Sequence, residues 1–256
     1  MNTPNNHWFT GLLLACSLLL MKPASATLPA DPLDSPAWPV MKKQFLGEGE
    51  VVFDPRVIVM APEDAEDSLN VPVRFNLEQI PNIKQVTVIA DLNPLPLTLR
   101  FYPYSVKPNL SFSIKLQQAT PIRVAAQTQD GVWHVGGRWV NAAGGGCTEP
   151  SIGTSSGDWS DTLGNVSTKV WPRTNGVNRI KLQIMHPMDT GLASGIPRFH
   201  LQELFLKDQQ GQTLARVETY EPISENPLLS FEVEGKQGFH IQGTDNNGNQ
   251  IIAEVK

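Results

Sequence analysis

The sequence predicts an all-β protein with two β-sandwich domains in tandem. Apolar residues alternate with other residues over many short segments, as in residues 110–116, where Leu, Phe, Ile and Leu occupy every second position. Such alternation is expected of half-buried strands. Proline and glycine separate the segments, which is typical of antiparallel sandwiches. The alternation stops near residue 141 and resumes near residue 178, so it indicates two modules.

The first segment, residues 1–26, is predicted to be a signal peptide. Residues 11–21 are uncharged and mostly apolar, which suits a signal-peptide core and is too short to span a bilayer. The small residues 24–26, Ala-Ser-Ala, predict cleavage after Ala26 and therefore export to the periplasm, with no membrane insertion afterwards. Cleavage would also remove Cys16 and Lys22, so that 1 of the 2 cysteines remains and the net charge changes from −5 to −6.

The first sandwich is predicted to span residues 27–147. It begins with a proline-rich extended leader over residues 27–40, and a short helix is expected near residues 38–46, ended by Gly47. The segments that follow predict strands, and Asp130-Gly131 predicts a hairpin turn. The alternating apolar positions are Val57 and Val59; Val71, Val73, Phe75 and Leu77; Val86, Val88 and Ala90; Leu97, Leu99 and Phe101; and Ile122, Val124 and Ala126.

A glycine arm that carries a cysteine closes this module. Gly144, Gly145 and Gly146 lack a Cβ atom, so we expect them to act as the hinge of a mobile arm. Cys147 follows them and is predicted to be a solvent-accessible free thiol, since it has no partner for an intramolecular disulfide once the signal peptide is gone. A minority of such a thiol is ionised at neutral pH, which permits nucleophilic attack or disulfide exchange.

Residues 148–177 are rich in small and polar side chains and are predicted to be a linker. The second sandwich is predicted over residues 178–256, with turns at Gln210-Gly211 and at residues 245–248. Its alternating apolar positions are Ile180, Leu182 and Ile184; Leu229, Phe231 and Val233; Phe239 and Ile241; and Ile251, Ala253 and Val255.

Composition and motifs argue against several functions. The mild acidity disfavours nucleic acid as a partner, because phosphate binding needs clustered Lys and Arg. No Ser-His-Asp order, paired carboxylates or coenzyme glycine fingerprint stands out, so we expect neither catalytic residues nor a cofactor. His186 and Met188 could ligate copper, but two ligands do not make a site, and no metal site is predicted.

Several short stretches stand out, in order, along the two modules. In the first module they are Ala61-Pro62-Glu63-Asp64-Ala65-Glu66-Asp67, Val71-Pro72-Val73, Asn93-Pro94-Leu95-Pro96 and the arm Gly145-Gly146-Cys147. In the second they are His186-Pro187-Met188-Asp189-Thr190-Gly191, Ile196-Pro197 and Ile223-Ser224-Glu225-Asn226-Pro227 with Phe231. Together these stretches resemble the sulfur-oxidation subunits SoxY and SoxZ fused in one chain.

The resemblance implies two immunoglobulin-like sandwiches and a cysteine, Cys147, that carries sulfur intermediates between periplasmic enzymes while catalysing nothing itself. It also implies partner oxidoreductases of a sulfur-oxidation system or, as for fused SoxYZ-like proteins, of a quinoprotein dehydrogenase system. One departure is plain. In SoxY the cysteine lies at a free C-terminus, whereas here Thr148 and a whole second module follow it, so the arm is tethered at both ends.

The function predicted from the sequence is therefore a periplasmic carrier with Cys147 as the covalent attachment site. Two alternatives remain at this stage. One is a thiol-dependent enzyme in which Cys147 is the nucleophile and His134 its base. The other is a structural scaffold of immunoglobulin-like modules, in which the cysteine has no role.

Overall fold

A computed structural model describes residue 1 and residues 30–151, 159–235 and 238–255. The predicted signal peptide, apart from residue 1, lies outside the described residues, and so does part of the predicted linker. Within the described ranges, no helix has both the length and the apolar character needed to cross a bilayer.

The described chain begins with a short helix. Trp38–Met41 forms an α-helical turn, α1, with Pro39 in its first turn, where proline costs no backbone hydrogen bond. The helix continues as the π-helical turn Lys42–Leu46 and ends at Gly47, which takes a φ of 69° that favours glycine. The helix expected near residues 38–46 is confirmed.

Strands account for most of the rest. In the first half they are β1 (Val51–Phe53), β2 (Ile58–Met60), β3 (Asp64–Ala65), β4 (Val71–Asn76), β5 (Ile83–Ala90), β6 (Leu97–Tyr102), β7 (Asn109–Ile114), β8 (Thr120–Thr128) and β9 (Trp133–Ala142). In the second half they are β10 (Val166–Pro172), β11 (Val177–Ile184), β12 (Leu201–Asp208), β13 (Thr213–Thr219), β14 (Leu228–Glu234), β15 (Phe239–Asp245) and β16 (Gln250–Val255). Short 3-10 turns lie at Trp159–Asp161 and Thr174–Gly176.

These strands form two sheets that pack face to face, and the predicted all-β class is confirmed. The first sheet has the order β1-β9-β8-β5-β6-β13-β12-β15-β16, with β3 pairing with β9. The second has the order β10-β11-β14-β7-β4-β2. The alternating apolar positions of both sheets point inward, as Val71, Val73 and Phe75 of β4 do with at most 2% exposure.

Both sheets run through both halves of the chain. In the first sheet β6 pairs with β13, so that Phe101 lies opposite Val217; in the second, β7 pairs with β14 at Ser111 and Ser230. One hydrophobic core therefore includes side chains from both halves. The two sandwiches expected from the sequence are joined edge to edge, and this pairing leaves neither of the joined edges exposed.

The predicted linker is partly a strand. Residues 166–172 form β10, which pairs antiparallel with β11 from Val166↔Ile184 to Pro172↔Asn178. This strand was not predicted because β10 lies at the edge of the sheet and shows little apolar alternation. Its outward residues, such as Ser167 and Lys169, are exposed, and its inward ones are only half-buried. The second module therefore begins before residue 178.

A second apolar layer covers the outer face of the first sheet. Trp38, Met41 and Leu46 of the helix pack on Ile89 and Ala125, and this explains why β5 and β8 are buried on both faces.

Arg123 of β8 lies in the same layer and is 1% exposed. It bonds Asp91 and Asp31 and stacks 4.3 Å from the ring of Trp38. The proline-rich leader is thus fastened to the sheet through Asp31.

Candidate functional site

The cysteine arm leaves β9 and turns sharply. Gly144 and Gly145 have φ values of 106° and 84°, a backbone region that residues with a Cβ atom rarely adopt. The amides of Thr148 and Glu149 donate to the carbonyl of Gly145 and close the turn. The positions predicted as a hinge therefore form a defined turn that presents Cys147 to the body of the protein.

Gly146 fits into a narrow gap between two backbone segments. Its amide donates to the carbonyl of Leu116 at 3.1 Å, while the amide of Leu116 donates to the carbonyl of Ser68. A Cβ atom on Gly146 would lie 2.2 Å from the Ser68 carbonyl oxygen and 2.6 Å from that of Leu116. Glycine is needed here because the backbones approach so closely.

All the polar groups of Cys147 have partners. Its amide donates to Oε1 of Gln117 at 3.1 Å, and its Sγ lies 3.7 Å from the carbonyl oxygen of Lys115. Its own carbonyl accepts a 2.6 Å hydrogen bond from the hydroxyl of Thr190, which belongs to the second half. The loop is therefore held by both halves at once.

The thiol of Cys147 is buried, with 0% exposure of the residue. The expectation of a solvent-accessible thiol is wrong for this closed arrangement. Its physical reason is the close packing of Gly146, since the glycines let the chain enter a gap rather than extend into solvent. Burial raises the pKa of Cys147 to about 11, and the nearby Lys115 ammonium only partly opposes this increase.

Lys115 is the charged group beside the thiol. It is 2% exposed, its Nζ donates to the carbonyl of Met188, and burial lowers its pKa. Asn93 supports the segment from both sides, since its Nδ2 donates to the carbonyl of Lys115 and its Oδ1 accepts from the amide of Gln117. Asn93 therefore holds in place the segment whose Gln117 side chain and Lys115 carbonyl contact Cys147.

The stretch of residues 186–191 supplies the opposite wall. Thr190 holds Cys147, and Oδ1 of Asp189 accepts a 2.9 Å hydrogen bond from the amide of Ser151, just beyond the arm. Met188, with a φ of 53°, offers its carbonyl to Lys115.

The stretch of residues 223–227 reaches across to the first half. Ser224 donates its hydroxyl to the carbonyl of Leu69 and its amide to that of Ser113.

A cavity of about 360 Å³ lies beside the arm, at the junction of the halves. Lys115, Ser151, Gln183, Ser224 and Glu225 are among the residues that line it. Its wall combines the side chain of Lys115 with hydroxyl, amide and carboxylate groups, so a small polar group could be held there beside the arm.

His134 does not belong to this site. It lies near the start of β9, whereas Cys147 follows the end of that strand, and the eight residue steps from His134 to Ala142 alone span about 26 Å. Its Nδ1 is instead 2.8 Å from Oδ2 of Asp54, whose pKa is held far below its usual range, chiefly by the hydrogen bonds from Arg56. His134 therefore cannot act as the base for Cys147 in this structure.

His186 and Met188 have structural roles in the described residues. Nδ1 of His186 accepts from the amide of Met188, and its Nε2 lies 3.5 Å from Oδ2 of Asp245. Sδ of Met188 accepts from the amide of Leu201, and burial lowers the pKa of His186 to about 4. Across the described ranges, no three His, Cys, Asp or Glu side chains converge as metal ligands would.

Sequence reasoning singled out Cys147 and its glycines as the candidate site but did not indicate the residues that enclose them. Gln117 and Lys115 carry no recognisable signal in a strand-forming stretch. Thr190 and Asn93 lie within stretches that resemble SoxZ and SoxY, so the resemblance contained a signal for them. Only the folded chain shows that these stretches meet at the cysteine.

Two family models match this chain. The model for sulfur oxidation protein SoxY matches residues 42–147, and that for sulphur oxidation protein SoxZ matches residues 159–256. Among solved structures, the sulfur carrier protein SoxY from Chlorobium limicola f thiosulfatophilum is similar, with 21% sequence identity and a TM-score of 0.37. That match covers 42% of this chain and 96% of that chain. No curated protein gives a significant match.

The first matched range ends at the cysteine that both halves hold, and the second contains Thr190, which holds it. The two ranges together cover most of the chain. The protein therefore belongs to the SoxY and SoxZ families of sulfur-oxidation proteins and joins one domain of each in a single SoxYZ-like chain.

Proposed function

We propose that this protein is a periplasmic carrier that holds sulfur intermediates covalently on Cys147 and presents them to partner oxidoreductases. Membership of the SoxY and SoxZ families supports the sulfur chemistry. The partners belong to a sulfur-oxidation system or a quinoprotein dehydrogenase system, the second by resemblance to fused SoxYZ-like proteins. Catalysis belongs to the partners, and Cys147 supplies the attachment point.

The position of Cys147 carries the proposal. It is the one free cysteine among the described residues, and it terminates a glycine turn at the junction of the two halves. The stretches that resemble SoxY and SoxZ converge on it through Asn93 and Thr190. A cysteine kept only for packing has no need of a glycine turn or of contacts from both domains.

Loading can proceed by exchange, without an oxidant in the carrier. The Cys147 thiolate attacks the outer sulfur of a sulfur–sulfur bond on a partner, a new bond forms to Cys147, and the partner's sulfur leaves as a thiolate with the electron pair. The proton of Cys147 passes to solvent, and the number of sulfur–sulfur bonds is unchanged. Oxidation of the cargo then belongs to the partner enzyme.

The closed arrangement implies an opening step before loading. A buried thiol with a pKa of about 11 is almost entirely protonated at neutral pH and lies out of reach of a partner. Hydrogen bonds of Gly144, Gly146, Cys147, Thr148 and Ser151 hold the arm in place, and opening would break them. The positive-φ glycines 144 and 145 are the points about which the arm would swing outward.

Mass spectrometry of protein isolated from its native periplasm tests this function. We expect a mass on the peptide that contains Cys147, removable by a reductant, and an intact chain that begins at Thr27 after reduction. The Cys147→Ser variant should carry no added mass, and it should fail to support the growth of cells that need the protein. An unmodified thiol together with a neutral Cys147→Ser would instead favour a structural scaffold.

The thiol-enzyme alternative has little support. A base that activates Cys147 must lie within hydrogen-bonding reach of Sγ, and His134 lies at the far end of β9. The amino group of the other neighbour, Lys115, donates to the carbonyl of Met188 instead. Purified protein that turns over a thiol substrate without any partner would nonetheless restore this alternative.

A further inference from the structure

Four cations and a tryptophan meet on the outer face of the second sheet, on β10, on β11 and in the turn between them. Lys169 lies directly opposite Lys181, and Trp171 lies opposite Arg179. Arg173 completes the group, and together with Trp171, Pro172, Arg179 and Lys181 it lines a cleft of about 480 Å³. We call these residues, Lys169, Trp171, Arg173, Arg179 and Lys181, the basic cleft.

The basic cleft is not neutralised within the described part of the chain. None of its four cations forms an ion pair there, although Nε of Arg179 donates to the hydroxyl of Ser230. Glu232 of the neighbouring β14 lies directly opposite Arg179, and Glu234 lies opposite Val177, but both carboxylates are engaged by other residues. Glu232 faces Arg74 and Asn109, and Glu234 bonds Lys107.

This arrangement costs stability and runs against the charge of the protein. Like charges directly opposite each other destabilise a sheet, yet Lys169 and Lys181 form such a pair. The whole chain has a formal net charge of −5, so a cluster of four cations is a local reversal of sign. Such a cluster attracts an acidic surface and orients its approach.

The basic cleft also has the residue composition of a protein interface. Trp171 is half-buried, and the ammonium of Lys169 lies 5.0 Å from the centre of its ring. Tryptophan and arginine are the residues that most often anchor protein interfaces. The cleft is lined by Trp171 as well as by cations, so it offers an apolar contact beside the charges, and an acidic polypeptide surface can use both.

The position of the basic cleft links it to the cysteine. Arg179, Lys181 and Gln183 alternate along β11 on the same outward face, while Ile180 and Leu182 point into the core. Gln183 lines the cavity beside the Cys147 arm. Two residues of a strand span about 6.6 Å, so the basic cleft begins within one side-chain length of that cavity.

We propose that the basic cleft docks an acidic surface patch of the partner oxidoreductase and thereby places the partner's active site over the Cys147 arm. This inference takes the identity of the partner from the proposed carrier function. The acidic character of the partner's surface is inferred from the basic cleft itself. The acidic patch engages Lys169, Lys181, Arg173 and Arg179, and an apolar rim of the partner covers Trp171.

The test is an NMR titration of the mature protein with an acetylated octaglutamate peptide, which serves as the acidic probe. We expect the indole N–H signal of Trp171 and the amides of residues 169–181 to shift on titration. The apparent Kd should increase at least tenfold in Lys169→Glu/Lys181→Glu. The control Lys43→Glu/Lys84→Glu changes two exposed lysines elsewhere by the same charge, and its Kd should change less than twofold. Binding should weaken as NaCl is raised from about 20 to 200 mM.

A second variant distinguishes loss of charge from loss of folding. Lys169→Gln/Lys181→Gln removes the repulsion, so its Tm should not fall, while its Kd should increase by an intermediate factor. Equal weakening in the control would show that net charge alone binds the peptide and would overturn the proposal. So would equivalent shifts with sulfate or thiosulfate, which indicate a small-anion site, or binding to phosphatidylglycerol vesicles in place of the peptide.

The titration separates this proposal from the carrier function. It needs no thiol, so it can be repeated on Cys147→Ser with the same expected result. If Cys147 carries no cargo but the peptide still binds, the carrier function is rejected and the docking surface stands. If Cys147 carries cargo but the peptide does not bind, the docking surface is rejected and the carrier function stands.

Discussion

The hydroxyl of Thr190 donates a 2.6 Å hydrogen bond to the backbone carbonyl of Cys147. Thr190 belongs to the SoxZ-like half and Cys147 to the SoxY-like half, so one bond ties the cysteine-bearing loop of one domain to the other. Because both residues are buried, the bond is shielded from water and helps to keep the loop closed.

Thr190→Val should make Cys147 more reactive. The change keeps the shape of the side chain and removes the hydroxyl, and a hydrogen bond of this kind contributes about 0.5–1.5 kcal/mol. We therefore expect iodoacetamide to alkylate Cys147 about two- to tenfold faster at pH 8. Thr213→Val, at the start of β13, is the matched control and should leave the rate unchanged. Identical rates in Thr190→Val and the unmodified protein would mean that this bond does not restrain the loop.

The reactivity of Cys147 should keep rising with pH well above the usual pKa of a thiol. Its pKa is about 11 in the closed loop and near 9 when exposed. Closure is therefore fully favoured below pH 9 and weakens by about tenfold for each pH unit between 9 and 11, because only the open form loses its proton there. The alkylation rate of the folded protein should increase through this range.

The unfolded protein provides the comparison. In concentrated urea the same cysteine is exposed, so its alkylation rate should level off above pH 9. A plateau near pH 9 in the folded protein as well would contradict the closed loop.

Gly146→Ala should release the arm. The added Cβ atom would meet the Ser68 and Leu116 carbonyls at distances that backbone atoms cannot accept. We expect alkylation of Cys147 at nearly the rate of the unfolded protein and a Tm lower by a few degrees.

Gly145→Asn is the control for Gly146→Ala. Asparagine tolerates a positive φ, and the nearest atom to a Cβ at position 145 is Oε1 of Glu149 at 3.9 Å. Its alkylation rate should therefore stay near that of the unmodified protein. Slow alkylation in Gly146→Ala would show that the gap can widen at little cost.

The two halves should remain together after the chain between them is cut. A protease site inserted between residues 155 and 156 lets the protease cut the chain there, outside the described strands of both sheets. Because β6 pairs with β13, β7 pairs with β14 and the core is shared, we expect the cut protein to elute from size-exclusion chromatography with the uncut protein. Separation into two smaller species in native buffer would contradict the shared core.

Much of the fold could be predicted from local patterns. Alternation along single strands depends on burial of one face, so Val71, Val73 and Phe75 were assigned to the core correctly. The helix that Gly47 ends was also predictable from neighbouring residues. The pairing of Phe101 with Val217 was not, because the choice of partner for an edge strand depends on residues distant in the sequence.

The candidate site was harder to predict for a different reason. Three glycines are equally compatible with a mobile arm and with a chain that enters a narrow gap. The carbonyls of Ser68 and Leu116 decide between the two, and neither residue differs in sequence from an ordinary strand or loop residue. Thr190, likewise, becomes part of the site only when the two domains meet.

Burial of Cys147 has a protective consequence. Thiols are oxidised stepwise to sulfenic, sulfinic and sulfonic acids, the last two steps are largely irreversible, and the reactive form is the thiolate. At a pKa of about 11, roughly one thiol in 10⁴ is ionised at pH 7, and even that fraction is shielded from solvent. The closed loop thus spares Cys147 damage by peroxide or stray sulfur species. Under the proposed carrier function, this protection keeps the cargo-bearing thiol intact until the loop opens.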